Sequence, residues 1–124
     1  MTVNGARFSK CARLLKPAEY SRVFKKAIRS SDRLLTILAS SQDLGHPRLG
    51  LVISRKNAKR AVDRNRIKRV IRESFRLHQT ELPSADFVVM AKPGTKLADN
   101  QEIFNSLEHH WNRLIKQCVK SSSQ

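Results

Sequence analysis

A chain of 124 residues with 25 Lys or Arg against 10 Asp or Glu carries a formal charge of +15, on a length that suits one compact domain. Its 40% hydrophobic content supplies a packed core and excludes wholesale disorder. The longest apolar run, Phe87-Val88-Val89-Met90-Ala91, is far too short to span a membrane, and the basic N-terminus lacks the apolar stretch of a secretory signal.

In chain order, Pro17 opens a first short helix whose apolar face is Tyr20, Val23, Phe24 and Ala27. Residues 33–40 and 48–54 read as two strands, and the Gly and Pro between them predict a hairpin with antiparallel pairing. From Ala58 to about His78 the recurrence of Ile67, Val70, Ile71, Ser74, Phe75 and His78 at three- and four-residue steps predicts a long helix with one inward stripe. Leu82-Pro83 ends it. Residues 86–92 form a third strand, apolar on both faces, and Lys92-Pro93-Gly94 turns the chain. A last helix opens on Asp99 and Glu102, spaced as a capping box, and turns Ile103, Leu107, Trp111, Leu114 and Cys118 to one side. The order α-β-β-α-β-α describes a single α+β domain over residues 1–124, a small α/β sandwich with helices packed on a short mixed sheet. Its core spans about 12–118, and the N-terminal and C-terminal tails, the latter rich in serine, are expected to fray. Cys11 and Cys118 match neither a disulfide framework nor a metal spacing, which points to a reducing, cytoplasmic compartment.

The charge is segregated. Residues 1–30 hold eight basic and one acidic residue and residues 55–76 hold ten and two, while the rest of the chain balances. Such an arrangement reads as a footprint for a polyphosphate. Within the second block Arg64, Lys68 and Arg72 sit four apart on the predicted helix and form one outward row, with Asn65, Arg69 and Arg76 beside it. Like charges at this spacing repel, and a helix selected for stability alone would interleave glutamates. A phosphate backbone neutralises them, and planar guanidinium groups bind phosphate bidentately. The histidines, His46, His78, His109 and His110, fall in no nucleophile or metal pattern, and His109-His110 is expected on a partly exposed helix face.

The block Arg64-Asn65-Arg66-Ile67-Lys68-Arg69, preceded by Arg48-Leu49-Gly50-Leu51 and Ser54-Arg55-Lys56, resembles the signature of the bacterial ribonuclease P protein family. Arg13-Leu14, Tyr20, Val23-Phe24, Asp86-Phe87-Val88-Val89 and the Trp111 helix extend the resemblance, in order, over about residues 12–117. It implies a ribosomal protein S5 domain 2-like fold with a left-handed βαβ crossover. It also implies a holoenzyme that hydrolytically removes the 5′ leader of precursor tRNA. In that family the catalytic centre lies in the RNA subunit, which holds Mg²⁺, and the protein has no catalytic residue and no direct metal ligand. The protein instead raises the affinity of nearby metal ions. Mapped residue by residue, the surface for the catalytic RNA comprises Arg55, Lys56, Lys59, Arg60, Arg64, Asn65, Arg66, Lys68, Arg69 and Arg72. The cleft for the 5′ leader maps to Arg13, Tyr20, Phe24, Thr36, Leu38, Val52 and Ser54. Strand alternation independently puts Thr36 with Leu38, and Val52 with Ser54, on common faces.

Leu38 departs from a position often aromatic in relatives, and Lys16 from a helix-capping one. Two other functions share the charge. One is a structural, ribosomal-type RNA-binding protein with no role in catalysis. The other is a DNA-binding regulator with the central helix in a major groove, disfavoured because a strand rather than a short helix precedes it.

Overall fold

The computed structural model describes Tyr20, Val23, residues 27–42 and residues 44–122, with side chains to Gln117. Its elements are β1 (Ile28–Ser31), β2 (Leu35–Ser41), β3 (Arg48–Val52), α1 (Ala61–His78), β4 (Ala85–Ala91), a 3-10 turn (Pro93–Leu97) and α2 (Asn100–Ser122). Tyr20 and Val23 are helical, while Cys11, Arg13, Phe24 and the Cys118 side chain lie outside the described residues. Element bounds differ from expectation: β2 runs Leu35–Ser41 rather than 33–40, β3 stops at Val52 rather than at residue 54, and β4 runs Ala85–Ala91 rather than 86–92. The strand β1 is additional, α1 starts at Ala61 rather than Ala58, and α2 carries the serines to Ser122. Lys92-Pro93-Gly94 does not simply turn the chain but leads into the 3-10 segment.

The predicted pairing of the second and third segments is wrong. The sheet order is β1-β2-β4-β3, so β4 lies between the two strands expected to form a hairpin. It pairs antiparallel with β2 and parallel with β3. The reason is burial on two faces. Phe87, Val88 and Val89 are all fully buried, and a strand apolar on both sides is stable only with a neighbour at each edge and layers above and below. The connection from β2 to β3 is tied down where β4 begins: Gln42 N–H donates to Ser84 O, and Gly45, at φ 85°, donates to Ser84 Oγ. Across the β3–β4 register Arg48 faces Asp86 and grips it with two hydrogen bonds of 2.8 Å.

One sheet face carries Leu35, Ile37, Ala39, Leu49, Phe87 and Val89 into the main core, beneath α1 and α2. There Phe75, Phe87 and Trp111 meet edge to face at centroid separations of 5.6 to 6.4 Å. Trp111 Nε1–H donates to Ser74 Oγ at 2.9 Å, which explains the polar member of the α1 stripe. The helix α2 starts as its capping box requires, with Glu102 N–H on Asp99 Oδ1 and Asp99 N–H on Glu102 Oε1.

Candidate nucleic-acid interface

Burial of Ile67, Val70, Ile71, Ser74 and Phe75 fixes the rotation of α1. At about 100° per residue the positive side chains then fall on a wide outer arc. Asn65, Arg69 and Arg72 lie along its exposed crest, and the side chains of Arg69 and Arg72 form no hydrogen bond or ion pair with a described residue. Lys68 is half-buried beside them. Arg55, Lys56, Lys59 and Arg60, all exposed, continue the surface from the turn before the helix. That turn is rigid: Ser54 O accepts from Asn57 and Ala58 N–H, and Asn57 Nδ2 donates to Ala91 O at 2.7 Å. Arg60 occupies the N-cap position without a side-chain cap.

Arg64 and Arg66 behave differently from the row in which the sequence places Arg64. Two residues apart, they stand about 200° apart around the axis and so mark opposite flanks of the arc. Arg64 Nη1 donates to Ala58 O and Lys59 O at 3.0 and 2.7 Å. Arg66 Nη1 donates to Ala98 O and Asn100 Oδ1, and its Nη2 to Lys96 O. The first arginine therefore braces the turn entering α1, and the second ties α1 to the start of α2. In Arg64 the bonds use Nη1 alone, which leaves the Nε–Nη2 edge, the geometry that grips a phosphate, without a partner among the described residues. Arg76 is paired with Glu73, whose carboxyl this hydrogen bond holds below its ordinary value.

The other sheet face bears the second predicted site. Cross-strand pairs align Ser31 with Thr36, Thr36 with Met90, Leu38 with Val88, Gly50 with Val88 and Val52 with Met90. Val23 closes over Leu38 and Val88, with Tyr20, Ala27 and Met90 at the margin. Thr36 and Leu38 are buried, which leaves Val52, 38% exposed, with half-buried Tyr20 and Met90 as the accessible apolar surface. Ser54 lies beyond the end of β3, where its hydroxyl accepts from Asn57 N–H, so it does not share the strand face with Val52.

A polar cluster that the sequence concealed lies behind β1. His110 is fully buried rather than partly exposed, because its place on α2 turns it to Ser30 and Asp32. Its Nδ1 is 2.6 Å from Ser30 Oγ, and its Nε2 is 3.2 Å from Asp32 Oδ2 without hydrogen-bond geometry. Burial holds the imidazole below its ordinary pKa, against the opposing pull of Asp32. Burial alone would raise Asp32, but hydrogen bonds from Ser106, Leu35 and Leu34, with His110 nearby, bring it down to about 2. The trio has the residues of a hydrolytic triad but not its arrangement. The serine meets Nδ1 instead of Nε2, and Ser30 is 1% exposed, so no substrate reaches it. Its role is to lock β1 to α2. Among the described residues no group of three or more His, Cys, Asp or Glu is placed to hold a metal ion, and no helix is long and apolar enough to cross a membrane.

Comparison with known proteins is consistent across sequence and fold. The Ribonuclease P family model matches residues 8–115. The ribonuclease P protein component of Methylococcus capsulatus is 49% identical over 119 residues, covering 96% of this chain and 93% of that protein. That of Photobacterium profundum is 48% identical, covering 92% and 97%. Among solved structures, the RNase P protein of Staphylococcus aureus superposes with a TM-score of 0.79 at 34% identity, over 86% of this chain and 97% of that one. The RNase P protein of Thermotoga maritima gives 0.73 at 25% identity, over 82% and 96%.

Proposed function

The chain belongs to the ribonuclease P protein family, and from that premise we propose that it is the RNA-binding subunit of a ribonucleoprotein that cleaves the 5′ leader from precursor tRNA in the cytoplasm. The observation that carries the reading is the crest of α1, where Asn65, Arg69 and Arg72 are exposed on a helix whose opposite side is sealed in the core. Positive charge left without carboxylate partners on a rigid support suits a ribose-phosphate chain better than it suits the protein's own stability.

In this reading the catalytic RNA lies along Lys56, Lys59, Arg60, Lys68, Arg69 and Arg72, with Arg55 and Asn65 alongside and the free edge of Arg64 directed at a phosphate. Arg66 serves the same surface by holding α1 against the segment that begins α2. The single-stranded leader lies across Val52 and Met90 beside Tyr20, where an aromatic ring and an apolar floor accept any base. Phe24 and Arg13 belong to this cleft by family resemblance. Hydrolysis in this reading takes place at Mg²⁺ ions held by RNA phosphates. The basic surface lowers phosphate repulsion and allows RNA strands and their cations to approach.

The test is reconstitution with a bacterial ribonuclease P RNA at low Mg²⁺, following leader release from precursor tRNA. The protein should accelerate cleavage where the RNA alone is nearly inactive. RNA binding with no gain in cleavage would instead favour a purely structural RNA-binding protein.

A further inference from the structure

The open sheet face contains a glycine that its backbone does not require. Gly50 lies in the interior of β3, opposite Val88, and Gly45 is the only glycine with positive φ among the described residues. Glycine weakens a strand interior, so conformational freedom gives no reason for one here. Tyr20 does. A Cβ at position 50 would lie 2.7 Å from Tyr20 Cε1 and 2.8 Å from both Cζ and the hydroxyl oxygen. Ordinary carbon contacts need 3.5–4.0 Å, so any side chain there would lift the ring by about 1 Å. The phenol edge rests on bare backbone, two residues along β3 from the exposed Val52, which pairs with half-buried Met90.

We propose that Gly50 is a positioning residue for the leader cleft: its missing side chain seats the Tyr20 ring against β3 and sets the height at which that ring meets a base. This rests on the reading that a single-stranded leader occupies the cleft. The glycine binds nothing itself and acts only through Tyr20.

The experiment compares Gly50→Ala, Tyr20→Ala and the double variant in the full chain, each reconstituted with a bacterial ribonuclease P RNA. Affinity is measured for precursor tRNA, mature tRNA and the catalytic RNA. Either single substitution should weaken precursor binding about five- to tenfold, the lower part of the range for one base on an aromatic ring. Mature tRNA and catalytic RNA affinities should hold, and the double variant should be no worse than Tyr20→Ala. Additive losses, or equal losses for precursor and mature tRNA, overturn the proposal. If Tyr20→Ala weakens precursor binding and Gly50→Ala does not, the positioning role alone falls. If Tyr20→Ala changes nothing, the leader reading falls and the role of Gly50 with it. A second measurement needs no stable Gly50 variant. Tyr20 is the single tyrosine of the chain, and its ring should shift the Gly50 Hα resonances upfield in the wild-type protein. The shift should vanish in Tyr20→Ala, and its absence from the wild type would overturn the proposed seating.

Discussion

The two long sides of α1 differ in what each side chain is for. Inward, Ile67, Val70, Ile71 and Phe75 are sealed among β-strands and α2, and their removal costs folding energy. Outward, the Arg69 and Arg72 side chains are exposed and make no hydrogen bond or ion pair with a described residue, so the fold draws little from them. Arg64 and Arg66 stand on the boundary and belong partly to each side, since both spend N–H groups on backbone carbonyls. The lesson is that an arginine-rich motif on a helix is not one functional unit. Its members divide by angle around the axis into contacts and braces.

The largest effect should come from salt. With roughly six to ten phosphates engaged, affinity for the catalytic RNA should fall ~10³–10⁵ between 50 and 200 mM salt in a filter-binding titration. A nearly flat response would remove the outer side from the RNA interface. On the inner side, Trp111→Ala should cost about 3–5 kcal/mol in denaturant unfolding, because it opens a cavity beside Phe75 and Phe87. It should leave the salt slope of the surviving folded protein unchanged.

Smaller effects separate the flank from the crest. Arg66→Ala should cost about 1–2 kcal/mol of stability, the part-exposed share of its hydrogen bonds to Lys96, Ala98 and Asn100. Arg72→Ala should stay within about 0.5 kcal/mol of wild type while reducing the salt slope by about 1. The reverse pattern would exchange brace and contact. The pH response is the finest discriminator. Both Asp32 and His110 have folded pKa values below their ordinary ones, so the unfolded chain binds more protons and stability falls on acidification. Stability should decline as pH drops below the ordinary histidine value of 6.5. It should decline again between 3.8 and about 2 as Asp32 protonates. His110→Gln should remove the upper decline, and an unaltered curve would show that the buried cluster does not couple folding to pH.

Much of the fold was legible because burial leaves a periodic trace. The α1 stripe, the capping box at Asp99 and Glu102, and the apolar β4 all follow from local spacing. The basic side of α1 was legible too, but its crest was displaced by one step. Spacing put Arg64, Lys68 and Arg72 in the outward row, whereas Asn65, Arg69 and Arg72 are the exposed ones and Arg64 and Lys68 are half-buried. Strand order was not. A Gly- and Pro-containing connection suits a hairpin locally, and nothing within residues 33–54 records that a strand thirty residues later takes the place between them. The clue was β4 itself, whose two-sided burial demands a central position.

The linear chain by itself determined the helices, the two-faced strand, the charge segregation and the family, because each depends on residue types at fixed short separations. Only the tertiary structure decided that β4 divides β2 from β3, that His110 turns inward to Ser30 and Asp32, and that Arg64 and Arg66 divide their N–H groups between backbone and solvent. It also decided that Gly50 lies beneath Tyr20. Those outcomes join positions that are mostly far apart in the chain, and they are fixed by which surfaces must be sealed at once, a condition that no local window contains.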